Sequence, residues 1–135
     1  MYMLDTNILV DFLRGKSRLI YDKLRETDAR LFEIPMVVKA ELLLEAEKSN
    51  DPERERLKVE SLLLPFRTVP FDDECAYQYA RIRAALEKQG TTIGANDYLI
   101  AATALARSAI LVTNNADEFK RVPGLSMEEW REMGV

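Results

Sequence analysis

Short apolar runs alternate with longer helix-like segments along this 135-residue chain, and the alternation strongly constrains its fold. Five runs have the composition of strands, and Ile110–Thr113 is apolar enough for the buried middle of a parallel sheet. Strands that alternate with helices of about 10 to 15 residues are typical of α/β proteins. We therefore predict one α/β domain over residues 1–135, with a mostly parallel central sheet of about five strands flanked by helices. The predicted strands are Tyr2–Leu4, Leu31–Ile34, Phe66–Val69, Ile110–Thr113 and Leu125–Ser126.

Helix signals fill the segments between these runs. Asp51 precedes Pro52 as an N-cap before a helix, and Gly15 and Gly90 stand where helices end. The predicted helices are Asn7–Arg14, a segment capped by Ser17 to about Thr27, Pro35 to about Lys48, Glu53–Leu63, a segment capped by Asp72 to about Gln89, Asn96–Arg107, and a short turn at Asp117–Lys120.

The composition excludes several chemistries. The chain has no histidine, which rules out a Ser-His-Asp triad, an imidazole base and histidine-bound zinc or iron. Cys75 is the only cysteine, so we expect a packing residue and no internal disulfide. With a formal net charge of −4, binding to nucleic acid would depend on local basic patches or metal ions. Neither a membrane span nor a signal peptide is evident, so we expect a cytoplasmic protein without a membrane partner.

Acidic residues stand where several predicted elements meet. Asp5 ends the first strand, Asp97 begins a helix, and Glu41 lies one to two turns into the helix after the second strand. Asn115, Asp117 and Glu118 follow the fourth strand. Because sites in open parallel sheets lie at the carboxyl ends of strands, four distant segments can deliver acids to one edge.

Clustered carboxylates repel one another unless something neutralises them. Mg²⁺ and Mn²⁺ favour oxygen ligands, lower the pKa of bound water and neutralise charge on a phosphoryl oxygen. The acids therefore indicate metal-assisted phosphodiester hydrolysis. Simpler interpretations stay open: Asp5 as an N-cap, Asp97 as a first-turn acid, and Glu41 as a solvated helix residue.

At these residues the chain resembles the PIN-domain ribonuclease toxins of the VapC type, from bacterial and archaeal toxin–antitoxin pairs. Four motifs in the family's order and spacing carry the resemblance, which extends over essentially the whole chain. The end of the chain, Val122–Leu125 with Trp130, is also similar to these toxins. The motifs are Met3–Leu9, Ala40–Leu43 with Ala46–Ser49, Ile93–Ala102, and Val112–Asn115 with Glu118–Phe119.

The resemblance implies an endoribonuclease that depends on Mg²⁺ or Mn²⁺. By motif, Asp5, Glu41 and Asp97 would be the core acids, with Asp5 and Asp97 as direct metal ligands. Thr6 would hydrogen-bond to a ligand and orient it. The fourth acid is open, because Asn115 stands where many PIN domains have aspartate, and Glu118 would supply the remaining charge.

The resemblance also implies a homodimer, an RNA substrate and a VapB-type antitoxin whose C-terminal segment occupies the active-site groove. Arg14, Lys16 and Arg18 would contact RNA phosphate or form a solvated loop. Two other functions compete: a catalytically silent binding module, favoured only by Asn115, and an aspartyl-phosphate-type phosphatase with Asp5 as nucleophile. Against the phosphatase, Asn7 stands where that class has a second aspartate.

Overall fold

The computed structural model describes residues 1–131 and has the predicted α/β architecture. Residues 132–135 lie outside the described part, so the domain boundary predicted at residue 135 is untested. The strands are β1 (Tyr2–Leu4), β2 (Phe32–Pro35), β3 (Arg67–Val69), β4 (Ile110–Val112) and β5 (Ser126–Glu128). The helices are α1 (Thr6–Leu13), α2 (Arg18–Glu26), α3 (Met36–Lys48), α4 (Pro52–Leu63), α5 (Asp73–Gln89), α6 (Ala95–Ala106) and α7 (Ala116–Phe119), with a 3-10 turn at Ala29–Leu31.

The sheet has the order β3-β2-β1-β4-β5, and within residues 1–131 its four strand pairings are all parallel. The chain builds outward from β1 through β2 and β3, then returns to the other side of β1 with β4 and β5. This reversal between β1 and β4 is the topological switch point of the sheet, and α/β sheets place their sites at the carboxyl ends of the strands there. Leu4 is aligned with Val112, so the next residues, Asp5 and Thr113, leave the sheet side by side.

Two element boundaries near β2 differ slightly from the sequence prediction. The Asp28 carboxylate accepts a hydrogen bond from Arg30 N at 2.9 Å and caps the 3-10 turn, so Leu31 belongs to that turn. Strand β2 therefore begins at Phe32 and continues through Pro35, which is the N-cap of α3. Pro35 ends the strand and does not open the helix.

The core lies on both faces of the sheet. Met3, Leu4, Ile34, Leu111 and Val112 are fully buried, as expected for strands covered by helices on each side. Cys75 is buried and carries a free thiol, as predicted. Over residues 1–131, no helix combines the length and the apolar character that a membrane crossing requires.

One ion pair is buried beside the core. Arg107, the C-cap of α6, donates from Nε to Glu33 Oε1 at 2.7 Å and from Nη2 to Oε2 at 2.6 Å. The Glu33 side chain in β2 is only 2% exposed, so the two-pronged contact supplies hydrogen bonds that its carboxylate would otherwise lose. The contact fastens the C-terminal end of α6 to the sheet.

Candidate active site

Asp5 is the most deeply buried acid at the switch point. It is 3% exposed and follows β1 directly. Its Oδ1 accepts from Thr6 N at 2.8 Å, which makes it the N-cap of α1, and its Oδ2 accepts from Thr113 Oγ1 at 2.7 Å. Asp5 is thus both a helix cap and a member of the acid cluster, and the two interpretations of this residue are compatible.

Glu41 is joined to this position through Thr6. It lies half-buried on α3, and its Oε1 accepts from Thr6 Oγ1 at 2.7 Å. Thr6 follows Asp5, so one hydroxyl links the end of β1 to α3, 35 positions away. A carboxylate on an otherwise mobile side chain is thereby directed toward Asp5.

Asp97 and Glu118 form a second pair of acids. Asp97 stands in the first turn of α6, and Glu118 lies on α7, where its carboxylate makes a hydrogen-bonded contact with that of Asp97. Gly94 N donates to Glu118 Oε1 at 2.5 Å. A Cβ on Gly94 would stand 3.2 Å from Asp97 Oδ2 and 3.5 Å from Glu118 Oε1, so a residue without a side chain lets both carboxylates approach the backbone.

Asn115 connects the two halves of the site. Its backbone N donates to Thr113 Oγ1 at 3.0 Å, and its side-chain Nδ2 donates to Glu118 Oε2 at 2.6 Å. Thr113 is fully buried, and its hydroxyl donates a hydrogen bond to Asp5 Oδ2. A continuous series of hydrogen bonds therefore extends from Asp5 to Glu118.

The pKa values of these carboxyl groups reflect their burial and their repulsion of one another. Burial raises the pKa of Asp5, with Glu41 and Glu118 adding to the shift against the hydrogen bonds from Thr113 and Thr6. Burial, and then the contact with Glu118, raises the pKa of Asp97 to about 7. Burial also acts to raise the pKa of Glu118, but hydrogen bonds outweigh it, first that from Gly94, and lower this pKa. Asp97 therefore retains a proton that it shares with Glu118 up to about neutral pH.

Two groups of candidate residues from the sequence, Asp117 and the basic residues after α1, lie outside the acid cluster. The Asp117 side chain is 98% exposed and faces Lys120, so it takes no part in the cluster despite its place beside Glu118. The basic residues after α1 are all exposed, and Arg18 is paired with Asp22. They lie on the surface, and within residues 1–131 they make no hydrogen bond or ion pair with Asp5, Glu41, Asp97 or Glu118.

The donor set fits a hard divalent cation. Every candidate ligand is an oxygen, and the protonated Asp97–Glu118 pair marks an excess of negative charge that such a cation neutralises. In residues 1–131, no three acidic or thiol side chains are already grouped as ligands. Asp5 and Glu41 instead accept hydrogen bonds from Thr6, and Asp97 contacts Glu118, so a cation would replace the proton that Asp97 and Glu118 share.

Sequence reasoning missed the individual contributions of Thr113 and Gly94. A threonine as the last residue of the predicted strand Ile110–Thr113 was the available signal, since it places a hydroxyl at the carboxyl edge. A glycine at the N-cap of α6, three residues before Asp97, was the signal for Gly94. Neither signal specifies the partner, which depends on how distant segments align.

The fold and the site define an α/β protein with a carboxylate cluster at its switch point, and comparison with known proteins identifies its family. Residues 2–125 match the family model described as PIN domain, so the chain belongs to the PIN domain family. Ribonuclease VapC2 of Rickettsia felis is 38% identical over 130 residues, which cover 96% of this chain and 97% of the relative. The tRNA(fMet)-specific endonuclease VapC of Salmonella typhimurium is 35% identical over 129 residues, with the same coverage.

A solved structure agrees with these relatives. VapBC2 from Rickettsia felis, bound to a DNA fragment from its promoter, contains a chain that matches with a TM-score of 0.90 and 37% sequence identity. The match covers 96% of this chain and 98% of that chain. The resemblance to VapC-type PIN domains that the motifs indicated is confirmed.

Proposed function

We propose that this chain is the ribonuclease toxin of a VapBC-type pair, an endoribonuclease that cleaves RNA phosphodiester bonds with Mg²⁺ or Mn²⁺. One observation carries the proposal: the acids of three other segments lie near enough to Asp97 at the switch point to raise its pKa, in a chain without histidine. The names of the relatives, ribonuclease and tRNA(fMet)-specific endonuclease, support the reaction class.

Each residue of the site has a role that follows from its position. Asp5 and Asp97 are the proposed metal ligands, and Glu41 and Glu118 complete the negative charge around them. Thr6 orients Glu41 through its hydroxyl. When bound, the cation would supply a water of lowered pKa and neutralise charge on the phosphoryl oxygen.

Partners follow from the solved relatives. Because matching structures are VapBC complexes, we propose a VapB-type antitoxin as the partner of this chain. We further propose a homodimer, acting on cytoplasmic RNA. A relative is named for initiator transfer RNA, so that RNA belongs in the first panel of substrates.

The competing functions have weaker support. Asn115 was the sequence argument for a silent binding module, yet its amide donates to Glu118 within an otherwise complete set of acids. The phosphatase would need a second carboxylate two residues after Asp5, and Asn7 is an exposed amide.

The test is a cleavage assay on initiator tRNA, other structured RNA and single-stranded RNA, with Mg²⁺, Mn²⁺ or EDTA. Asp97→Asn removes one proposed ligand and keeps the side-chain volume. Asp117→Asn is the matched control, because it removes the same charge from an exposed side chain one residue from Glu118.

We expect metal-dependent cleavage by the parent chain and by Asp117→Asn, and no cleavage by Asp97→Asn. Cleavage that persists in Asp97→Asn or in EDTA would contradict the proposed site. If small phosphoesters were hydrolysed and RNA were not, the phosphatase would replace the nuclease.

A further inference from the structure

Both carboxylate oxygens of Glu118 accept a hydrogen bond from the protein. Gly94 N donates to Oε1 at 2.5 Å, and Asn115 Nδ2 donates to Oε2 at 2.6 Å. The donors come from different elements, since Gly94 is the N-cap of α6 and Asn115 is the N-cap of α7. A carboxylate held on both oxygens keeps one direction, here toward Asp97.

The donor at position 115 is itself fixed in place. Asn115 N donates to Thr113 Oγ1 at 3.0 Å, and that hydroxyl donates to the buried Asp5 at 2.7 Å. The position of the Asn115 side chain therefore depends on the end of β4, which pairs with β1. Glu118 stands on a helix of four residues, so α7 alone gives its carboxylate little support.

An amide suits this position and a carboxylate does not. With aspartate at position 115, a carboxylate oxygen would take the place of Nδ2, about 2.6 Å from Glu118 Oε2. Two ionised carboxylates in such contact repel each other. An amide converts the same approach into a charge-assisted hydrogen bond.

We infer that Asn115 is a positioning residue for the nuclease site, whose side-chain amide, together with Gly94 N–H, fixes the Glu118 carboxylate beside Asp97. Asn115 is thus a donor that serves Glu118, and it does not occupy a fourth ligand position. The inference rests on the proposed function. It makes Glu118, and not residue 115, the negatively charged side chain that stands beside Asp97 at the metal site. It further requires that an aspartate at position 115 serve this chain less well than asparagine does.

A double-mutant cycle tests the coupling on the full chain. Asn115→Ala, Glu118→Gln and the double variant are compared with the parent chain for kcat and KM of RNA cleavage and for Mn²⁺ affinity by calorimetry. Loss of a group that orients a metal ligand lowers affinity or activity by roughly 10- to 100-fold, and we expect Asn115→Ala to do so. Since Asn115 acts through Glu118, adding Asn115→Ala to Glu118→Gln should cause little further loss. Equal losses in both backgrounds would show that Asn115 acts independently, which would overturn the inference.

A charge exchange tests the polarity of the hydrogen bond without metal or RNA. Asn115→Asp alone should lower the Tm in EDTA, because it places two carboxylates in contact. Adding Glu118→Gln should restore the Tm, since the new amide at position 118 can donate to position 115 and still accept from Gly94. An unchanged or higher Tm for Asn115→Asp alone, or a higher Mn²⁺ affinity with faster cleavage, would refute the positioning role.

Failure of the proposed function has a different signature. A parent chain that cleaves no RNA but shows the Mn²⁺ coupling and the Tm rescue would keep Asn115 as the positioning residue of a metal site and would reject the nuclease. Cleavage that depends on Asp97, with no coupling between positions 115 and 118, would keep the nuclease and reject the inference.

Discussion

Replacing Asp97 with asparagine should stabilise the metal-free protein above neutral pH, although it should abolish cleavage. The pKa of Asp97 rises from an ordinary value of 3.8 to about 7 in the folded chain, with burial as the main cause and the contact with Glu118 next. Between these pH values the folded chain holds a proton that the unfolded chain has released. Its stability therefore falls as pH rises from about 4 to 7, and the full penalty is present above that range.

The size of the penalty follows from the shift. About three pH units correspond to ~4 kcal/mol for an isolated group. The opposite pKa shift of Glu118 offsets part of this, so the penalty for the pair is smaller than ~4 kcal/mol. Asparagine retains a donor for Glu118 and carries no charge, so the variant should avoid the penalty.

Urea unfolding in EDTA at pH 5, 6, 7 and 8 measures this difference. We expect the excess in free energy of unfolding of Asp97→Asn over the parent chain to be smallest at pH 5, to grow through pH 7 and to level off by pH 8 at less than ~4 kcal/mol. The exposed Asp117→Asn control should follow the parent chain. The burial of Asp5 raises its pKa too, so some pH dependence should remain in every variant. Parallel curves for Asp97→Asn and the parent chain from pH 5 to 8 would refute the carboxylate-pair reasoning.

Three further substitutions test the structure around the acids. Gly94→Ala should lower RNA cleavage about tenfold and change the Tm little, because its φ of −60° suits alanine but the new Cβ would stand 3.2 Å from Asp97 Oδ2; full activity would contradict the close approach. Thr113→Val keeps the side-chain volume but removes the hydroxyl on Asp5, and urea unfolding should show a loss of about 2 kcal/mol; no loss would mean that this bond contributes nothing. Arg107→Leu leaves a buried β2 carboxylate without its main partner and should cost about 3 to 5 kcal/mol in the same assay, a prediction that a loss below about 1 kcal/mol would contradict.

The sequence predicted the strand–helix alternation, the parallel sheet and the family because these depend on local signals. Apolar runs, caps and glycines mark elements within a few residues of where they lie. The late start of β2 also had a local cause, the Asp28 cap, which the strand-like composition of Leu31 concealed. The acids could be expected at one edge because Asp5 ends a strand, Asp97 begins a helix and Glu41 lies one to two turns into the helix after β2. The structure does bring these three residues to that edge.

The hydrogen bonds between segments could not be predicted in the same way. Thr113 and Asp5 are 108 positions apart, and they meet because β1 and β4 pair with Leu4 opposite Val112. A shift of one residue in that register would turn the hydroxyl to the other face of the sheet. The hydrogen bond from Gly94 N to Glu118 likewise depends on how α7 is placed relative to the start of α6. No local sequence pattern specifies that placement.

The two pairs of acids differ in how the fold tolerates them, and this difference bears on their chemistry. Asp5 is buried, and it accepts from Thr6 N at the start of α1 and from the Thr113 hydroxyl directly after β4, so its position is fixed at the end of the sheet. Asp97 and Glu118 stand on helix starts and are held by an amide N–H, a side-chain amide and a shared proton. A divalent cation would remove the shared proton and leave the two amide donors in place. We therefore expect proton release on metal binding to come mainly from Asp97 and Glu118, while the hydrogen bond between Thr113 and Asp5 stays in place.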